Sequence, residues 1–355
     1  MVISFVLPFY AKQPVGGVKV VYEYANYLAR KGHRVYIYIL KGKTLENVKL
    51  PSNLKNRLVK IIIANRKVSW FSFDRKVHRV SINAINDSEI KKADIIIATS
   101  VETALPVANL DLSKGKKFYL IQDFENWTYS DEKVYFTYGL GMTNIVVAEW
   151  LKKVVDKYSE KPSVLISNSI DTMLFKVLVA PESRKLHSIV FHYRKESYKG
   201  AKYAIETIKM LYAKYRDLQV YVVSTNDPPD DLPECCVFMK NLSPKEVAAI
   251  NNKARIFMCS SIEEGFGLPG LEAMACGCAL VSSKYRGVLE YAIDGTNALL
   301  SPIRDSKKMA DNIIKLFENS ELRNRLIKAG IETTEKRSLE VSGMILESLL
   351  SGRDI

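Results

Sequence analysis

The chain has no hydrophobic run near the roughly 20 residues a helix needs to cross a bilayer. Cysteine is scarce and badly placed for structural work. The count is 5, an odd number. Cys235 and Cys236 are adjacent, and Cys276 and Cys278 flank one residue. Neither spacing suits a zinc knuckle or a CxxC redox pair, which leaves reduced thiols in a cytoplasmic protein as the expectation. Histidine is equally sparse, at 4 residues: His33, His78, His187 and His192. No His/Asp/Glu cluster has metal-ligand spacing. No Ser-His or Cys-His nucleophile pair stands out. An RRM, KH or zinc signature is missing too, which argues against a nucleic-acid partner despite the charge.

What is present is ample apolar material, 47% of 355 residues, enough for two cores. The net charge of +13 is uneven. Residues 1–175 hold 26 Lys/Arg against 16 Asp/Glu, so the first half either faces something anionic or is simply very soluble. Met1 to Leu7 is apolar but has no basic leader or small-residue cleavage site, and reads as a first strand rather than a signal peptide. Residues 41–79 concentrate 11 Lys/Arg around Trp70, Phe71 and Phe73. Such a segment suits an anionic membrane surface or a lipid-linked acceptor, and equally an ordinary solvated face over core aromatics.

Hydrophobic periodicity gives the architecture. A strand at Val2–Leu7, the pair Gly16-Gly17, a helix over Val18–Lys31, Gly32 as its stop and a strand at Val35–Leu40 make a βαβ unit. Strands follow at Leu58–Ile63, Asp94–Thr99, Phe118–Ile121, Asn144–Ala148 and Val164–Ile166. The rhythm restarts with strands at Ile189–Phe191, Gln219–Val223, Ile256–Cys259 and Ala279–Ser282, with helices over 199–214 and 244–252. Helices over 306–318, 321–333 and 339–350 close the chain. Two doubly wound α/β domains are expected: residues 1–167 and 168–337, with Ser167–Lys185 as linker and 338–355 a helix crossing back to the first domain.

The sharpest signal is Glu264-Gly265-Phe266-Gly267-Leu268-Pro269-Gly270-Leu271-Glu272. A strand runs into a tight Gly-Phe-Gly loop and a helix opens near Pro269. Such a loop lets backbone approach a ligand closely, and a helix start offers unpaired N–H groups to an anion. Seven residues separate the two glutamates, one on the loop and one a turn into the helix, so they grip two parts of one elongated ligand.

From Glu264 to Gly277 the chain agrees in full with E-G-F-G-L-P-x-L-E-A-M-A-x-G. It thereby resembles the retaining nucleotide-sugar glycosyltransferases of family 4, which have the GT-B fold of two Rossmann-like domains facing across a cleft. Tyr193 to Gly200 resembles that family's G-R-x-x-x-x-K-G, with Arg194 and Lys199 in place and Tyr193 where glycine is usual. Asn168 to Phe175 resembles N-G-x-D-x-x-x-F, with Ser169 replacing glycine; by itself it reads as an Asx turn over a buried Phe175.

The resemblance implies a nucleotide-diphospho-sugar donor and a glycan, lipid-linked or protein-linked acceptor. Arg194 and Lys199 would hold the diphosphate, and Glu264 the donor sugar. Glu272 would bind the ribose, with Gly265, Phe266, Gly267 and Leu268 completing the phosphate cradle. Gly16 and Gly17 would reach the phosphate or the acceptor. Gln122-Asp123-Phe124-Glu125 resembles the Q-D-x-E segment of a rhamnosyltransferase-like branch, with Asp123 and Glu125 facing sugar or acceptor hydroxyls; the histidine many members carry in this half has no counterpart. Transfer would proceed with retention, without metal or cofactor, in the cytoplasm or on the inner face of its membrane. An epimerase or glycogen-synthase-like enzyme of the same architecture, and a basic nucleic-acid-binding protein, stay open as alternatives.

Overall fold

The computed structural model describes residues 1–41, 68 and 70–353. Most of the basic 41–79 segment, and the strand expected at Leu58–Ile63, lie outside the described residues. The chain divides into two compact units, one of Met1–Ser167 with Leu339–Ile355, the other of Asn168–Ser338.

In unit one the described strands are β1 Val2–Leu7, β2 Arg34–Leu40, β3 Val77–Ile82, β4 Ile95–Ala98, β5 Lys116–Ile121, β6 Thr143–Val146 and β7 Val164–Leu165. They form one sheet in the order β3-β2-β1-β4-β5-β6-β7, every pair parallel. Central strand β4 is apolar throughout, and β1 and β5 are apolar apart from Ser4, Lys116 and Lys117, as a sheet covered on both faces requires. The helices are α1 Gly16–Arg30, α2 Val101–Ala108, α3 Asp131–Tyr138 and α4 Glu149–Val155. Gly16 and Gly17, read from sequence as a loop, instead form the first turn of α1. Gly32 takes φ +96°, the left-handed value that ends a helix.

The last helix, α10 (Leu339–Leu350), packs on α1 within the same unit. Lys31 pairs with Glu340 at 2.8 Å, and His33 with Glu347 at 3.0 Å. Trp70 is buried and stacks on Tyr22 of α1 at 5.4 Å, with Phe71 and Phe73 around the same ring. Trp70 thus belongs to the core of unit one, while Phe71 and Phe73 are half-buried against Tyr22.

Unit two has β8 Ser188–Tyr193, β9 Gln219–Ser224, β10 Cys236–Lys240, β11 Ile256–Cys259, β12 Ala279–Ser283 and β13 Ala298–Ser301. The order is β10-β9-β8-β11-β12-β13, again parallel throughout. Its helices are α5 Ala201–Lys214, α6 Pro244–Asn251, α7 Leu268–Ala275, α8 Ser306–Glu318 and α9 Ser320–Glu335. One core lies under α6 and α7, the other under α5 and α8. In both sheets the strand order reverses beside the first strand, at β1/β4 and β8/β11. Doubly wound sheets hold ligands outside the carboxyl ends of the strands at such a point.

Asp171 Oδ1 accepts from the backbone N–H groups of Met173 and Leu174, and Phe175 is buried, which is the Asx turn read from the sequence. Arg184, in the expected linker, is buried too. Its guanidinium donates to the carbonyls of Val179, Asn251, Ala254, Cys276 and Gly277. Three of these carbonyls lie at or just past the ends of α6 and α7, where the helix dipoles favour a cation.

Candidate functional site

In unit two, both loops leaving the reversal point carry the residues singled out in the sequence. After β8 the chain passes Arg194 and makes a 3₁₀ turn, Ser197–Lys199. Gly200 then takes φ +63° and starts α5. A Cβ on Gly200 would lie 3.0 Å from the Ser260 carbonyl carbon and closer still to its oxygen. Only glycine allows the two loops this approach. The backbone N–H of Ile262 donates to Tyr198 O at 2.8 Å and knits them.

The approach brings Lys199 Nζ to 3.2 Å from Glu264 Oε2, while the Ser261 hydroxyl donates to Glu264 Oε1. Burial acts to lower the Lys199 pKa, but the Glu264 carboxylate outweighs it and the ammonium is held above its ordinary range. Arg194 donates to the Tyr193 carbonyl at 2.8 Å and is in no salt bridge among the described residues. Burial lowers its pKa, with Glu196 and Glu264 opposing, and it stays charged. Its remaining N–H donors have no hydrogen-bond partner among the described residues, which leaves them to meet an anion. Lys195 N donates to Asn226 Oδ1 at 3.2 Å, anchoring the other side of this loop.

Gly267 takes φ +88° and is the residue from which α7 starts, with Leu268 and Pro269 in its first turn. The loop is seated from behind by the connection between β12 and β13. Tyr291 donates to Gly267 O at 2.7 Å, and its ring lies 5.4 Å from buried Phe266. A Cβ on Gly287 would lie 2.5 Å from Glu264 O and 2.8 Å from the Gly265 carbonyl carbon. Glu272 is buried on α7. Burial raises the pKa of Tyr291, with Cys259, Glu264 and Glu272 adding to it and a hydrogen bond with Tyr285 opposing. Buried Tyr285 closes the same side of the loop, its ring carbon 3.0 Å from where a Cβ on Gly267 would lie, and Ser261, Tyr285, Gly287 and Tyr291 carry no signal of this role in the sequence. Only Ser261 sits beside the motif; the others come from a separate connection with no local signal.

In short, unit two gathers Arg194, Lys199, Glu264 and the start of α7 at one carboxyl edge. Such a site suits a ligand with an anionic middle and hydroxyls to either side: cations and helix N–H groups for the anion, carboxylates for the hydroxyls.

Unit one has its own cluster at its reversal point. Gln122 Nε2 donates to Gly17 O at 3.1 Å. Glu125 Oε2 accepts from the Val101 N–H at 2.9 Å, at the start of α2. Burial, helped by Asp123 and Glu102 and opposed by that N–H, pushes the Glu125 carboxyl up to about 7. Asp123 accepts from Phe124 N. Among the described residues no three His, Cys, Asp or Glu side chains group as metal ligands. No helix of the described residues is long and apolar enough to cross a membrane. The five cysteines are unbonded to one another.

Comparison with known proteins adds the following. Residues 176–333 match the model of the glycosyl transferases group 1. An uncharacterized glycosyltransferase of Methanocaldococcus jannaschii is 31% identical over 126 residues, 36% of this chain and 34% of its own length. Another from the same organism is 25% identical over 287 residues, 78% of this chain and 58% of its own length. The chain thus spans between a third and three fifths of these two relatives. Anabaena HepE, solved in complex with UDP and glucose, superposes with a TM-score of 0.74 over 99% of this chain and 100% of its own, at 15% identity. That likeness identifies the two parallel-sheet units as the GT-B fold. Within it, residues 176–333 form a glycosyl transferases group 1 domain.

Proposed function

We propose that the chain is a glycosyltransferase that moves a sugar from a nucleoside-diphosphate donor held in unit two, with retention at the anomeric carbon. The carrying observation is the Lys199–Glu264 pair at 3.2 Å beside Arg194, a cation in no salt bridge among the described residues, at the reversal point of the sheet. The reading is supported by the group 1 match and by a structural neighbour solved with UDP and glucose.

Breaking a sugar–phosphate bond drives negative charge onto the diphosphate. Arg194, Lys199 and the N–H groups from Gly265 to Leu268 stabilise that charge where it develops. Glu264, fixed by Lys199 and Ser261, holds a donor-sugar hydroxyl, and Glu272 the ribose. The acceptor hydroxyl attacks the face from which the diphosphate departs and passes its proton to the leaving phosphate. In unit one, Gly16, Gly17, Asp123 and Glu125 serve the acceptor, a glycan or lipid-linked hydroxyl. The Gln122–Glu125 segment favours a 6-deoxyhexose donor of the kind used in the rhamnosyltransferase-like branch of family 4. No metal or nucleic acid takes part, and the enzyme works in the cytoplasm.

A panel of nucleoside-diphosphate sugars with nucleotide release as readout tests this. Turnover of at least one donor, unchanged by EDTA and lost in Arg194→Met, is expected. No release from any donor with glycan and lipid-linked acceptors present overturns it, and EDTA inactivation restored by divalent ions refutes metal independence.

A further inference from the structure

His192 is a half-buried polar group, one ring nitrogen closed off from solvent, that the donor site as described leaves unused. It lies two residues before Arg194, near the carboxyl end of β8. Ile189 and Phe191 of this strand enter the core under α5 and α8, and Val190 the core under α6 and α7. Strand alternation puts His192 on the Val190 face. Phe191 pairs in register with Met258, so the next position outward sets His192 beside Cys259, at the last residue of β11. The imidazole meets the Phe257 ring edge-on at 5.4 Å.

Its two nitrogens differ. Nε2 is sealed against the core with no hydrogen-bond partner. Nδ1 is not sealed, and no described residue is hydrogen-bonded to it. An unpaired buried N–H is costlier than an unpaired acceptor nitrogen, so the proton belongs on Nδ1. Burial, reinforced by Arg194, pushes the imidazole pKa down to about 3, so the ring is neutral at physiological pH.

We propose that the Nδ1–H of His192 donates a hydrogen bond to the diphosphate of the bound donor, an uncharged donor beside the charged Arg194. This rests on the donor-site reading above. It gives a role to a histidine that follows three core apolar residues, Ile189, Val190 and Phe191, where the strand reaches the ligand edge. A group left unpaired at a ligand edge is satisfied when the ligand arrives. Its neutrality lets it bind phosphate without adding a third cation to the site.

The test is calorimetric titration with UDP, ADP and GDP of the wild type, His192→Phe, His192→Asn and His192→Gln. The Asn amide nitrogen falls near the Nδ1 position, while the Gln amide reaches toward Nε2. Phe and Gln are expected to weaken nucleoside-diphosphate binding by about 10- to 100-fold, the worth of one hydrogen bond to a charged group. Asn should stay within about threefold of wild type, and wild-type affinity should not change between pH 5.5 and 8 through this ring. Equal affinities for Phe, Asn and wild type overturn the proposal while leaving the donor site intact. Equal losses in Phe and Asn overturn it as well, since they report packing. A folded wild type that takes none of the three nucleotides removes the donor-site reading and this role together.

Discussion

Gly200 is where the donor site is most exposed to a single added carbon. Its φ of +63° is left-handed, and a Cβ there would sit 3.0 Å from the Ser260 carbonyl carbon, with the oxygen nearer. Gly295 is the control, with φ +71° and nothing within 4 Å of its Cβ position. Placing alanine in the left-handed region costs about 1–2 kcal/mol at either position. At Gly200 the overlap is with backbone, which has no rotamer to turn aside, and adds about 1–3 kcal/mol. Gly200→Ala should therefore destabilise unit two by about 2–5 kcal/mol, against about 1–2 for Gly295→Ala. Relief of the overlap must move Lys199 away from Glu264, so UDP affinity should fall at least tenfold in Gly200→Ala and stay at wild type in Gly295→Ala. Urea unfolding and calorimetry read both effects. Equal destabilisation in the two variants, with UDP binding intact in both, would refute the claim that close loop approach builds the site.

Three further variants test other parts of the account. Glu125→Gln keeps an acceptor for the Val101 N–H but removes the carboxyl that titrates near 7, faced by Asp123, Glu102, Tyr119, Tyr129 and Tyr138. If the carboxylate binds the acceptor, wild-type kcat/KM for acceptor rises through about pH 7 and the variant loses that limb; superimposable profiles would contradict the role. The folded pKa lies above the ordinary carboxyl value, so the native state gives up stability as pH climbs from about 4.5 through 7. Glu125→Gln should gain relative stability over that window, read as a melting shift at pH 8 against pH 5. Arg184→Met leaves five carbonyls without their donor and should cost about 3–5 kcal/mol; a loss under 1 kcal/mol in urea unfolding would show that water replaces it. Glu272→Ala should weaken nucleotide binding, and unchanged donor affinity would remove its ribose role.

Sequence reading went furthest where one local stretch carries its own reason. Gly267 must be left-handed to start α7 behind a tight loop, and the residues that need it are its chain neighbours. The central strands announce themselves because both faces are covered and most of their positions are apolar. The strands that hydrophobic runs miss, β3, β10 and β13, all lie at sheet edges. Val77–Ile82 reads as a basic stretch because an edge strand keeps polar positions such as His78 and Arg79, and charge on an edge guards against stray pairing. His78 there lies over the Tyr36 ring at 5.1 Å. Arg184 reads as a linker charge because its five carbonyl partners lie up to 93 residues away along the chain. Tyr285, Gly287 and Tyr291 are silent for the same reason: they support the Glu264 loop from another connection. Trp70, Phe71 and Phe73 face Tyr22, a partner that periodicity in their own segment does not indicate.

Amide hydrogen exchange with and without UDP locates the donor most directly. Slower exchange should appear over residues 193–200 and 260–272, the two loops leaving β8 and β11. Protection confined to other segments, or none at saturating UDP, ADP and GDP, would mean that this edge of unit two is not where a nucleotide binds.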